Sequence, residues 1–463
     1  MPSHTLSRRS FGAALLGVAG LAVAGGCSAG STSSAGSSSA ATAGAGLFDD
    51  TVVHDIELAF EQSDYDAMID AYLSNQDKSW IEATATIDGS TFEKAGLRLK
   101  GNSSLRGLTK SGSTATTGGG QGGGPGGSVS AENPQDLPWL VRLDKFVEGQ
   151  ELGGYTEFVV RSNNSDSALN EAVALELLGL AGLATQLSVS TRLSVNGGSE
   201  VLRLIVENPG DKWDADRFGS AGILYKAESD GDYSYRGDDA ESYQDVFDQE
   251  TDTDNPNLAP LAAFLKFINQ SDDATFSSGL GKHLDVPAFA TYLAFQELVK
   301  NSDDIDGPGN NSYLRYTTGK DQFTVVAWDH NLAFGGMGGG NRGGGGQGQA
   351  PNGQAPNGQA PNGQAPGGQM PGGETASGQT AKNRGGGPGG RSNILVTRFN
   401  ANQTFKASYD KALTDLKASL YTSGKAAEVL QTRAAVLTAK AGDLISAATV
   451  TSESDTIKAV FAA

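Results

Sequence analysis

From Val52 to Val206 apolar and polar residues mostly alternate, the period of half-buried β-strands. Segments Val52–Phe60, Ile81–Ile87, Thr91–Lys100, Trp139–Phe146 and Tyr155–Val160 fit it, with Asp88-Gly89-Ser90 as a turn. Leu187–Val195 and Glu200–Val206 flank Asn196-Gly197-Gly198, a hairpin signal. The period changes twice in this stretch: a short helix is expected at Ala67–Leu73, and a longer one runs from an Asp166 cap to Leu180. After Glu207 the helical period takes over. Helices are expected at Asn257–Asn269 and Asp285–Lys300, with Pro287 in the first turn. Near the end Tyr409, Leu413, Leu416 and Leu420 share a face, and Ser423-Gly424 separates that helix from one reaching about Ser446. A strand-rich part followed by a helix-rich part, joined at Glu207-Asn208-Pro209, predicts an α+β protein with a cleft at the join.

Composition divides the chain further. Of 463 residues 64 are glycine, and 41 of those fall in three stretches: 1–47, 111–130 and 331–391. The rest has an ordinary globular share, which excludes a collagen-like or wholly disordered chain. Residues 335–391 carry repeats of Gln-Ala-Pro-Asn-Gly and too few apolar side chains to fold, so they are expected to be a mobile insertion. The net charge is −19, a balance that repels nucleic acid and anionic lipid. A polyanion would need a metal ion or a local basic pocket.

The single cysteine, Cys27, excludes a disulfide framework and a cysteine-based zinc site. It follows Arg8-Arg9, an apolar run from Ala13 to Ala24, and Gly25-Gly26, which together read as a twin-arginine export signal ending in a lipoprotein cleavage site. The expected organisation is a signal over 1–27, a flexible tether over 28–46, a strand-rich part over 47–206 with a Gly-rich loop at 111–130, and a helical part over 207–450. Lipidation of Cys27 would hold the working domain on the outer face of a bacterial cell membrane.

Two clusters could carry chemistry. Asn301 to Leu314 holds Asp303, Asp304, Asp306, Asn310 and Asn311, and Asp329 directly follows the apolar run Val325 to Trp328. Carboxylates and carboxamides from a helix end and a strand end can converge on a hard divalent cation. The second cluster, Arg98-Leu99-Lys100-Gly101-Asn102-Ser103-Ser104, sets cations on a strand before a tight polar turn, an arrangement that can meet phosphate. It is not a P-loop. The four histidines, His4, His54, His283 and His330, form no metal-ligand spacing.

These clusters, together with Pro138 to Phe146, Leu204 to Glu207, Leu224-Tyr225-Lys226 and Trp328 to Phe334, carry a family likeness. The chain resembles the spore-coat CotH kinase-like family, whose fold is a diverged, two-lobed protein-kinase-like one. The resemblance implies ATP and Mg²⁺ or Mn²⁺ as cofactors and a protein hydroxyl as acceptor. It assigns Asp303, ahead of Asp304 and Asp306, to the acceptor hydroxyl, and Asn311 and Asp329 to the metal. Lys100 and Arg142 would meet phosphate oxygens, Glu171 would pair with a phosphate-binding cation, and Glu207 would mark the adenine-contacting hinge. Lys226 occupies a family position without an assigned role. Two functions stand open at this point: an exported, membrane-tethered kinase acting on an unidentified protein, and a non-catalytic surface protein on the same scaffold.

Overall fold

A computed structural model describes residues 46–110, 129–229, 231–307, 310–335 and 393–462. Cys27, the tether, and nearly all of the Gly-rich stretches at 111–130 and 335–391 lie outside the described residues. The first of these stretches leaves and returns at one place. Thr109 bridges to Ser130, and Ala131 N–H donates to Thr109 O at 2.8 Å.

The alternating segments form strands β1 (His54–Ala59), β2 (Ile81–Ile87), β3 (Ser90–Leu99), β4 (Trp139–Arg142), β5 (Glu157–Val160), β6 (Ser188–Val195) and β7 (Val201–Glu207). They close into a barrel in the order β1-β2-β3-β4-β5-β7-β6. The seam is the parallel pairing of β1 with β6, His54 beside Thr191 through Leu58 beside Val195. Strand periodicity carries no sign of that closure, because it joins segments more than a hundred residues apart. Inside, one residue of every strand pair points inward: Ile56, Leu58, Leu97, Leu99, Trp139, Val141, Phe158, Val160, Val189, Leu193 and Ile205 form one buried cluster.

Helix α1 (Gln62–Asn75) packs beside β2, and α2 (Leu169–Leu180) follows β5. The expected Asp166 cap on α2 is not made. Its N-cap position is Ala168 at φ 53°, and the Glu453 carboxylate accepts from the N–H groups of Asp166 and Ser167. Glu453 thereby holds the loop before the helix, and Ser167 Oγ accepts from Leu169 N–H at 3.1 Å.

Past β7 come α3 (Asp211–Phe218), β8 (Gly222–Ala227), β9 (Phe247–Gln249), α4 (Ala259–Gln270), α5 (Asp273–His283) and α6 (Val286–Leu298). Then follow β10 (Ser312–Thr317), β11 (Gln322–Ala327), α7 (Ile394–Ala401), α8 (Gln403–Leu416), α9 (Lys425–Lys440) and α10 (Ala447–Phe461). The four strands make a second sheet, β11-β10-β8-β9. The helix expected to reach Ser446 instead stops at Lys440. Ser446 caps α10 by accepting from Thr449 N–H.

Another buried cluster joins the two halves. Leu140, Val159, Leu204 and Val206 of the barrel's outer face meet Leu224, Tyr313, Val326 and Trp328 of the second sheet, with Ala172 and Leu175 of α2 between them. The molecule is therefore α+β, with the barrel's outer wall laid against a four-stranded sheet. Among the described residues no helix is long and apolar enough to cross a membrane.

Candidate functional site

Register decides which charges share the gap between barrel and sheet. Gly96 pairs with Arg142, Arg98 with Leu140, and Arg142 with Glu157. With the alternate positions Leu97, Leu99, Val141, Phe158 and Val160 inside the barrel, Arg98, Arg142 and Glu157 stand on its outer wall, followed in phase by Lys100 and Arg161. Across the gap Tyr313 pairs with Lys226 and Lys226 with Asp248, so β10, β8 and β9 present these three in a row.

Four cations gather at one edge of the gap. Lys100 is pushed below the ordinary lysine range by burial, and the like charges of Lys226 and Arg98 act in the same direction. Burial takes Lys78 down to about 8, with Lys226 adding to it. Lys78 donates to Asn102 Oδ1 at 2.9 Å, and Asn102 Nδ2 donates to Ser229 Oγ at 3.1 Å, which ties the polar turn to the end of β8. Gly101 makes that turn possible. Its φ is +108°, and a Cβ there would sit 2.3 Å from Ser104 Oγ. Arg98 lies over the Trp80 ring, 5.0 Å from its centroid, and its buried Nε has no hydrogen-bond partner among the described residues.

The acids facing these cations are uneven. Lys226 pairs with Glu228, holding that carboxyl below its usual value although burial opposes it. Burial and the neighbouring Glu228 push Asp248 up to about 6. Glu157 and Glu250 offset part of the positive charge at Lys100.

Deeper in, a chain of three charged side chains crosses the join. Arg161 Nε donates to Glu171 Oε2 at 3.0 Å, and Arg161 Nη2 donates to Asp329 Oδ1. Burial raises the Glu171 carboxyl to about 7 despite the guanidinium beside it. Asp329 itself sits at φ 60°, a left-handed conformation that aspartate tolerates better than most residues but that still stores strain. Behind it His330 is wholly enclosed. Burial first, then Arg161, takes its imidazole down to about 3, so it is neutral, and its Nε2 lies 3.2 Å from Gln296 Nε2.

Asp303 and Asn311 belong to one tight loop. Asn311 Nδ2 donates to Asp303 O at 3.2 Å, and Asn311 N–H to Asp304 O at 3.2 Å. Gly307 is obligatory in this loop, since a Cβ would stand 2.6 Å from Asp303 Cα. The loop is pinned from below by Tyr292, whose hydroxyl accepts from Ile305 N–H at 3.1 Å. Burial, with Asp306 and Asp303 close by, lifts Asp304 to about 6.

Lys100 and Lys226 thus come together from opposite sides of the gap, and Glu171 and Asp329 come together through Arg161. Arg142 stands on the same wall but binds Asp144, its Nε donating at 2.8 Å. Glu207 is different. Its buried carboxylate accepts from Leu187 N–H at 3.0 Å and from Arg217, so the side chain anchors α3 to the barrel. Sequence reasoning did not find Lys78, Arg161, Glu228 or Asp248 as site residues. Arg161 was within reach: continuing the alternation of Glu157 and Val159 puts it on the outer wall.

Hard oxygen donors for a divalent ion are present in modest number. The Asp329 carboxylate and the Asn311 carboxamide oxygen, which accepts no hydrogen bond among the described residues, make a sparse set. Mg²⁺ is commonly held so, by one or two carboxylates with phosphate oxygens completing the shell. The donor chemistry of these two residues suits such an ion when it arrives with a polyphosphate. Among the described residues no three acidic, histidine or cysteine side chains converge to hold a metal alone.

No curated protein matches this sequence. A sequence profile described as CotH kinase protein matches residues 112–441, which takes in nearly all of the Gly-rich stretch at 111–130, strands β4 to β7, the join and most of the helical part. That span contains Arg142, Arg161, Glu171, Lys226 and Asp329 of the gap, and the loop that holds Asp303 and Asn311. With well over half of its length matched, the chain belongs to the CotH kinase family.

Proposed function

We propose that the protein transfers the γ-phosphoryl group of ATP to a Ser or Thr hydroxyl of another protein, outside the cytoplasm. The barrel and the helical part serve as the two lobes of a diverged kinase-like enzyme. One observation carries the reading: Lys78, Arg98, Lys100 and Lys226 are gathered at one edge of the gap in a chain whose net charge is −19. Such a patch on an acidic protein is a local anion site. Lys100, Lys226 and Arg98 hold the phosphate chain there, and Arg142 extends the same wall. Glu171 fixes Arg161, which orients Asp329. Asp303 takes the proton of the acceptor hydroxyl as its oxygen bonds to the γ-phosphorus and ADP leaves. The backbone at Glu207 lies where the adenine would rest, at the join. A divalent ion on Asn311 and Asp329 would neutralise charge on the β- and γ-phosphate oxygens. A signal at 1–27 with lipidation of Cys27 would hold this activity at the outer face of the cell membrane.

The test is transfer of labelled γ-phosphate from ATP to protein by the purified full chain with Mg²⁺ or Mn²⁺. Asp303→Asn is expected to lower the rate by about 10²–10⁴-fold, and Asp329→Asn by at least about 10²-fold. Unchanged transfer in Asp329→Asn would remove that residue from the site. A second reading, a non-catalytic surface protein on the same scaffold, draws on the hold that Arg161 already has on Asp329. Absence of any thermal shift at millimolar ATP and metal would favour it.

A further inference from the structure

Tyr313 is wholly buried, yet its hydroxyl has no hydrogen-bond partner among the described residues. Buried hydroxyls are nearly always satisfied, and one that is not asks for an explanation. The ring is held edge-on to Trp328, with centroids 5.8 Å apart and planes at 90°, so both its position and its direction are fixed by packing. A tyrosine hydroxyl is a protonated phenol at neutral pH, able to donate. It is therefore a donor without an acceptor. No described carboxylate comes within bonding distance of it. Its row-mate across the sheet is Lys226. Arg98 Nε, on the opposite wall, is a second buried donor left without a partner. Unsatisfied donors on both walls of one cationic gap call for an acceptor that is itself anionic and enters from outside.

We infer that the Tyr313 hydroxyl donates a hydrogen bond to the phosphate chain of the bound nucleotide and so positions it between barrel and sheet. This rests on the phosphotransfer reading given above. Tyr313 is then a substrate-positioning residue, made ready by a pairing that the protein leaves open.

Tyr313→Phe removes one oxygen and nothing else. In the full chain without ligand, the variant is expected to melt at the same temperature as the wild type or higher, because an unsatisfied hydroxyl is lost. Calorimetric titration with ATP and Mg²⁺ is expected to give a Kd about tenfold weaker, the effect of losing a donor to a charged acceptor. Titration with adenosine is expected to be the same for both proteins. The inference is overturned by an unchanged Kd for ATP, or by an equal loss for adenosine, which would take the hydroxyl off the phosphate chain. A clear drop in unliganded melting temperature overturns it too, since the hydroxyl would then have a structural partner. If the wild-type chain itself binds no ATP, the phosphotransfer reading falls and this one with it. ATP binding by wild type and Tyr313→Phe alike removes only this one.

Discussion

Arg315 and Lys100 are both cations drawn away from solvent, Arg315 wholly and Lys100 in part, and they are treated in opposite ways. Arg315, on β10, is fully enclosed and fully partnered. Its guanidinium binds both Asp214 oxygens at 2.9 and 3.0 Å, donates to Ser220 O and to Thr317 Oγ1, and lies over the Phe218 ring. Lys100, on the barrel wall, makes no hydrogen bond or ion pair to a described side chain and is depressed by burial beside other cations. A charge whose every donor is satisfied holds the fold together. A charge brought inside and left without a partner costs stability, and the cost makes sense only where an anion offsets it. The pairing pattern separates the two kinds of buried charge more clearly than burial does.

The strongest way to break this comparison is at Arg315. Arg315→Met leaves Asp214 buried and unpaired, and is expected to cost about 3–5 kcal/mol in denaturant unfolding. A loss below about 1 kcal/mol would mean that the pair is not structural. Lys100→Met should do the reverse: unfolding stability unchanged or higher, with ATP affinity reduced more than about tenfold. Destabilisation of the same order as in Arg315→Met would erase the contrast. The smallest effect is in pH. The Lys78 amine is lowered to about 8, so the folded chain releases its proton before the unfolded chain does. Between the folded and unfolded values the unfolded state binds more protons, and stability must rise with pH. Across pH 7 to 9.5 the gain is expected to be about 1 kcal/mol after allowing for solvent screening. Lys78→Met should be more stable at pH 7 and should flatten that rise; a wild-type curve that falls over this window would contradict the assignment.

Local pattern made most strands legible, because alternation of two is a property of neighbours in sequence. Ile81–Ile87 and Ser188–Val195 stand where periodicity puts them, and Asp285 caps α6 by accepting from Ala288 N–H at 3.1 Å. Helix α5 was not legible, since Ser277-Ser278-Gly279 and Gly281 dilute its apolar stripe and Phe276 and Leu280 alone bury fully. Helix α3 was missed for a related reason: in eight residues it buries only Trp213 and Asp214.

The candidate site divides in the same manner. That Arg98 and Lys100 share a strand face, and that Asp303 and Asn311 share a loop, follows from residues close in sequence. The sequence alone also determined the acidic balance, the glycine-rich interruptions and the lone Cys27. Tertiary structure decided the rest. Closure of β1 on β6 creates an outer wall, and packing of that wall on the second sheet sets Lys226 against Lys100 and joins Glu171 to Asp329 through Arg161. Those pairs are tens to hundreds of residues apart. Propensity acts along the chain, but a charge takes its meaning from whatever the fold places beside it, and only the folded chain brings these charges together.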